Sequence, residues 1–104
     1  MKHYLCKYMA PRADFLATMS PDEQQWMQQH GAYLDALLEQ GLIVAYGPVL
    51  DPAGAYGVSL FRIGDDQDIA ALTSLDPLIV HGVCHYEHHP MLHVKVRGCA
   101  PEAG

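Results

Sequence analysis

Residues 20–41 read SPDEQQWMQQHGAYLDALLEQG, and the arrangement of the whole chain follows from this stretch. Ser20 is a natural helix cap, Pro21 suits the first helical position, and Glu23 stands where its carboxylate reaches back to the Ser20 amide. Gly41 supplies the left-handed residue that ends a helix. Between them Trp26, Tyr33, Leu34, Leu37 and Leu38 recur at helical spacing and form one apolar stripe. His30 falls inside that stripe, four residues from both Trp26 and Leu34. An ionisable imidazole aimed at a core is the first functional signal in the chain.

Around this helix the hydrophobic pattern changes period. Residues 2–8 alternate, with Tyr4, Cys6 and Tyr8 on one face, and predict a half-buried strand. The connector over 9–19 carries Pro11, Arg12, Phe15 and Leu16. It reads as a loop packed down through a helical turn near Phe15, or as a lid over a pocket with Arg12 as an anion contact. After the helix, LIVAY at 42–46 predicts a strand apolar on both faces, ended by Gly47-Pro48. Asp51-Pro52-Ala53-Gly54 is turn chemistry. Residues 56–63 predict a third strand, with Val58 and Leu60 facing one way and Phe61 and Ile63 the other. Asp65 or Asp66 is expected to cap a second helix that stops at Asp76, because Pro77 disfavours helical geometry in the residue before it. One more turn is expected over 78–82, then a last strand over 83–96, bent at Pro90. The tail 98–104 has nothing to hold it.

The order strand, helix, strand, strand, helix, strand predicts an α+β domain over 1–97: a ferredoxin-like βαββαβ antiparallel sheet with both helices on one face. Two helices leave the other face, with its large apolar residues, uncovered. A homodimer pairing sheet against sheet is the expected cover.

Composition narrows the function. The chain has 104 residues, a formal charge of −6 and only six Lys and Arg, which argues against nucleic acid or an anionic membrane as partner. No apolar run approaches the roughly 20 residues that cross a bilayer, and no leader pattern is read at the start. Cys6, Cys84 and Cys99 are far apart and odd in number, as expected of reduced thiols in a cytoplasm. Strand thiols among apolar neighbours are usually inert, so nucleophilic catalysis is discounted. His85, Glu87 and His89, with His93 beyond, share one strand parity. Neighbours of that kind stand nearly 7 Å apart, too open for a closed metal site, and no tight metal is expected.

There remain His30 and Asp76. A carboxylate on one ring nitrogen fixes the tautomer and favours the protonated ring, while burial opposes that charge; such a pair suits general acid/base work. The competing reading is a core histidine bonded to a backbone carbonyl, with Asp76 capping the turn before Pro77.

Three pieces in sequence, His30-Gly31-Ala32-Tyr33-Leu34, Gly41 with an apolar strand and Gly47-Pro48, and Asp76-Pro77 with Gly82-Val83, give the chain a likeness to a known family. Over residues 2–97 it resembles the YCII-related family of small dimeric α+β barrel proteins. The resemblance implies an active site of a first-helix histidine and the aspartate of an Asp-Pro pair, which match His30 and Asp76 here. Leu78 stands where many relatives carry an aromatic residue, and Met27 where many carry a basic one. One branch of the family is associated with eliminating chloride from chlorinated hydroxylated aromatics. The expectation is therefore a lyase or isomerase acting by proton transfer on a cyclic or aromatic small molecule, without an organic cofactor. Arg12, Phe15 and Tyr33 are expected to contact the substrate. The alternatives are a non-catalytic small-ligand binding or stress-related domain and, behind it, a metal-binding or pH-sensing module built on the C-terminal histidines.

Overall fold

The computed structural model describes residues 1–98. The chain runs β1 (Lys2–Met9), α1 (Phe15–Thr18), α2 (Pro21–Glu39), β2 (Ile43–Val49), β3 (Tyr56–Ile63), α3 (Ile69–Thr73), α4 (Pro77–Val80) and β4 (His85–Met91). The strands form one antiparallel sheet in the order β2-β3-β1-β4. This is an α+β fold of the ferredoxin-like kind, as the alternating periods predict.

Both ends of α2 close as the sequence requires. Ser20 Oγ accepts from the Glu23 amide at 3.1 Å while Glu23 Oε1 accepts from the Ser20 amide at 2.9 Å, a complete capping box. At the other end Gly41, at φ 79°, lets the Gly41 amide reach the Leu38 carbonyl and the Leu42 amide reach the Leu37 carbonyl. That is a Schellman stop. Of the stripe, His30, Leu34 and Leu37 are buried. Leu38 is 41% exposed and does not belong to the buried face.

The register sets the two sheet faces. Tyr4, Cys6 and Tyr8 lie opposite Phe61, Ser59 and Gly57 on one side and Pro90, His88 and Tyr86 on the other. This face packs against the helices in a core that includes Cys6, Leu34, Phe61, Ile63 and Ile69. The other face carries Leu5, Val58 and Leu60, all only half-buried. His85, Glu87 and His89 leave β4 on that side, opposite Met9, Lys7 and Leu5, and His89 Nε2 meets Glu87 Oε1 at 3.1 Å.

Four boundaries differ from the sequence expectation. β2 continues through Gly47 and Pro48 to Val49; it is an edge strand, where a proline without an amide hydrogen costs little. The second helix ends at Thr73, short of Asp76, and α4 answers to the further turn expected over 78–82. Asp68, not Asp65 or Asp66, caps α3 by accepting from the Ala70 amide at 3.2 Å. The chain then turns before Asp76 caps α4, with Pro77 at its first position. Finally, β4 spans only His85–Met91, so His93 lies beyond the strand, and Pro90 sits within an edge strand opposite Tyr4. Of the tail expected to be loose, residues 99–104 lie outside the described residues. Among the described residues no helix is long and apolar enough to cross a membrane.

Candidate active site

Asp76 is completely buried and His30 is 4% exposed. A carboxylate in such a place must be paired and hydrogen-bonded, and three segments supply its partners. His30 Nδ1, from the middle of α2, lies 2.7 Å from Oδ2. The Tyr86 hydroxyl, from β4, donates to the same oxygen at 2.7 Å. The Leu78 amide, in the first turn of α4, donates to Oδ1 at 2.9 Å. Asp76 thus combines the two roles that its sequence context left open: it caps a turn at Pro77, and it holds the histidine.

The geometry assigns the tautomer. A carboxylate only accepts, so the hydrogen between His30 and Asp76 belongs to Nδ1, and in the neutral form of the ring Nε2 carries the lone pair. Among the described residues no group hydrogen-bonds Nε2, and the fully buried polar side-chain atom left without a partner is Ser59 Oγ, not Nε2. His30 lines a cavity of about 360 Å³. Phe15 and Leu16 of α1, Met27 and Gly31 of α2, and Leu78 of α4 form much of its wall, and Tyr8, Tyr46 and Tyr56 come from the sheet. The 9–19 connector therefore covers part of the cavity through α1.

Two aromatic contacts fix the floor. The edge of one ring meets the face of the other between Tyr8 and His30, with centroids 4.8 Å apart and planes at 67°, and Tyr8 also meets Tyr86 at 5.5 Å. The ring of Tyr8 occupies the space above Gly57: a Cβ there would stand 1.5 Å from it. Outside the cavity Trp26 stacks on His81 at 4.1 Å, with planes 10° apart. That contact ties α2 to the residue after α4, and so holds His30 and Asp76 in register.

The electrostatics follow from burial next to one carboxylate. Burial, then the Asp76 charge, pushes the Tyr8 phenol up to about 12 and the Cys84 thiol up to about 11. The same causes, with the hydrogen bond to Asp76, push Tyr86 far above its ordinary range. Each group is held neutral near pH 7. Cys84 lines the cavity but presents a protonated thiol, a weak nucleophile.

The structure brings His30, Asp76 and Phe15 to one place and leaves two of the expected contacts elsewhere. Arg12 is clamped by Glu23, with Nη1–Oε2 at 3.0 Å and Nη2–Oε1 at 2.7 Å, and donates also to the Thr18 carbonyl. It does not line the cavity. It fastens the connector to the capping box of α2. Tyr33 packs against the core, donates its hydroxyl to the Leu72 carbonyl and likewise does not line the cavity. Tyr86 and Tyr8 were not among the expected site residues. Their strand parity marked them as inward-facing, but only the register of β1 against β3 and β4 places them beside His30 and Asp76. Among the described residues no group of three or more His, Cys, Asp or Glu is arranged to hold a metal ion.

A search of curated proteins finds no match to this chain. The model of the YCII-related domain matches residues 1–92, and so includes β1 through β4 and every residue of the site. The chain belongs to the YCII-related domain family.

Proposed function

We propose that the protein is a small-molecule enzyme of lyase or isomerase type, with His30 as general base and acid and Asp76 as its orienter. The substrate is a cyclic or aromatic compound, and no organic cofactor takes part. One observation carries the reading: Nδ1 is pinned to a buried carboxylate while Nε2 has no partner among the described residues and its ring lines a cavity. A histidine kept only for structure spends both nitrogens on the protein or on solvent.

In the proposed reaction Nε2 takes a proton from an acidic carbon of the substrate. The electron pair moves into a conjugated carbonyl, and the imidazolium that forms is paired with Asp76. Return of the proton to a different carbon completes an isomerisation. Departure of a leaving group with its electron pair, protonated by Nε2, completes an elimination. Tyr8 stays protonated at neutral pH, and among the described residues nothing accepts its hydroxyl hydrogen. It is a candidate donor to the substrate oxygen on which charge develops.

The test is carbon-acid exchange. Incubated in D2O with a panel of cyclic ketones, lactones and hydroxylated aromatics, the protein should exchange a carbon-bound proton of at least one, read by NMR. His30→Asn should abolish that exchange. Ligand binding without exchange across the panel would favour the second reading, a binding domain of the same fold, which the largely apolar lining also suits.

The proposal includes a homodimer through the open sheet face. Leu5, Val58 and Leu60 are half-exposed there and no helix among the described residues covers them. Light scattering coupled to size exclusion at micromolar concentration should give twice the chain mass; a clean monomer would remove this part.

A further inference from the structure

We infer that the cavity selects uncharged one- or two-ring compounds able to give up a hydrogen, and discriminates against carboxylates and phosphates of the same size. This rests on the reading of His30 as the base and adds the charge state of its substrate.

Size comes first. A cavity of about 360 Å³ lies at the small end of the roughly 300–1,000 Å³ typical of ligand sites, room for a small ring system.

Charge is the stronger argument. Among the described residues no Lys, Arg, Asp or Glu lines the cavity. The cation nearest to that role by sequence, Arg12, has its guanidinium committed to Glu23 and Thr18. Lys7 Nζ rests over the ring of the lining residue Tyr56, 4.5 Å from its centroid, and does not itself line the cavity. The hydroxyl of Tyr46 is given to Asp35. Entering anions would therefore lose hydration with no countercharge to replace it.

Behind His30 stands the sealed Asp76 carboxylate. Its field is felt across the cavity wall: it contributes to the raised values of Tyr8 and Cys84, both lining residues. A ligand anion at Nε2 would sit roughly 7 Å from that charge, and at an effective dielectric near 20 the repulsion weakens its binding at least about tenfold. Hydrogen-bond polarity points the same way. Nε2 offers a lone pair, which pairs with a phenolic O–H or an acidic C–H and not with an acceptor-only carboxylate.

The charge balance of the step agrees. With neutral His30 and ionised Asp76 the site holds one negative charge before a neutral substrate enters. Proton transfer to Nε2 makes an imidazolium and a substrate anion together, so the total does not change. A substrate already anionic would bring the total to two negative charges in the same apolar space.

The experiment compares two probes of one shape, 2-naphthol and 2-naphthoate, by titration near neutral pH, following shifts of Tyr8, Met27 and Gly31 signals by NMR. 2-Naphthol should bind with these shifts, and 2-naphthoate at least about tenfold more weakly. In Asp76→Asn, 2-naphthoate should gain several-fold while 2-naphthol changes little or weakens. Equal or tighter binding of 2-naphthoate to the unaltered protein would overturn the inference, and so would failure of 2-naphthol to bind up to its solubility. Turnover is not read here. An absence of carbon-acid exchange would sink the catalytic reading and leave this selectivity to stand or fall by itself.

Discussion

Replacing Asp76 by asparagine or by alanine separates the two things this residue does. The alanine variant deletes the acceptor for three donors, the Nδ1–H of His30, the Tyr86 hydroxyl and the Leu78 amide. Asp76 itself is fully buried. Breaking a buried charged pair from one side costs about 3–5 kcal/mol, a large share of the roughly 5–15 kcal/mol that holds a domain together. Asparagine keeps the shape, and its amide has one acceptor and one donor end. The Leu78 amide is a fixed donor, so the asparagine oxygen must take the Oδ1 position. Its NH2 then stands where Oδ2 was, facing His30 and Tyr86. Both can adapt: the tyrosine hydroxyl rotates to accept, and the imidazole moves its hydrogen to Nε2 so that Nδ1 accepts. The asparagine, the imidazole and the Leu78 amide stay satisfied; the Tyr86 hydroxyl hydrogen gives up its acceptor and the charge assistance is lost, about 1–2 kcal/mol.

The chemical consequence is out of proportion to the stability. With its hydrogen on Nε2, His30 no longer offers a lone pair to the cavity, and a general base has been removed without moving a heavy atom. Reversal of this kind in Ser-His-Asp triads costs of the order of 10⁴ in rate, and a comparable loss of carbon-acid exchange is expected for Asp76→Asn. Long-range proton–nitrogen NMR reads the tautomer directly, expected as Nδ1–H in the unaltered protein and Nε2–H in Asp76→Asn. Chemical denaturation should rank the variants as Asp76→Asn slightly, and Asp76→Ala severely, destabilised. If Asp76→Asn keeps the Nδ1–H form, or loses as much stability as Asp76→Ala, the shared-carboxylate argument fails.

Gly57→Ala places a Cβ 1.5 Å from the Tyr8 ring; it should cost about 1–3 kcal/mol by overpacking and shift the Tyr8 and His30 signals, and an unshifted His30 would mean the ring does not depend on Gly57. Gly31→Ala meets nothing within 4 Å in the middle of a helix. It should raise stability by roughly 0.5–1 kcal/mol while narrowing the cavity and weakening 2-naphthol; destabilisation would contradict the open space. Stability should also fall in alkali. The folded Cys84 thiol is raised to about 11 from an ordinary 9.0, so the folded state holds the proton more tightly than the unfolded chain. Its contribution is whole below about pH 9 and lost as pH climbs through about 11. Urea midpoints over a pH series should show that decline and a shallower one in Cys84→Ala; no difference between the two would refute it.

Much of this site was readable from local chemistry. The capping box, the Gly41 stop and the position of His30 on the buried side of α2 follow from residues within one or two turns of each other. Asp76 was legible as a turn residue because Pro77 fixes what precedes it. Leu38 misled because an apolar stripe can be one residue wider than the face it buries. Pro48 misled in the opposite sense, since a proline reads as a break unless its strand is known to lie at a sheet edge. Tyr86 and Tyr8 needed the strand register, which pairs Tyr8 with Gly57 on one side and Tyr86 on the other. Nothing within either strand states that pairing. Arg12 illustrates a third limit: its charge is visible in the sequence, but its partner Glu23 was already assigned to the capping box.

The site's coupling to the fold follows from where its hydrogen bonds come from. His30 belongs to α2, Leu78 to α4 and Tyr86 to β4, and all three meet on one carboxylate that no local segment could desolvate alone. The helix pair must dock, with Trp26 stacked on His81, before Asp76 can lie beneath His30, and β4 must pair with β1 before Tyr86 can reach it. The orientation of the imidazole is therefore set once, by folding, and needs no rearrangement when a ligand arrives. That is the condition under which a single histidine is effective as a base: its hydrogen is committed on one side, its lone pair is free on the other, and the groups that hold it are already in place.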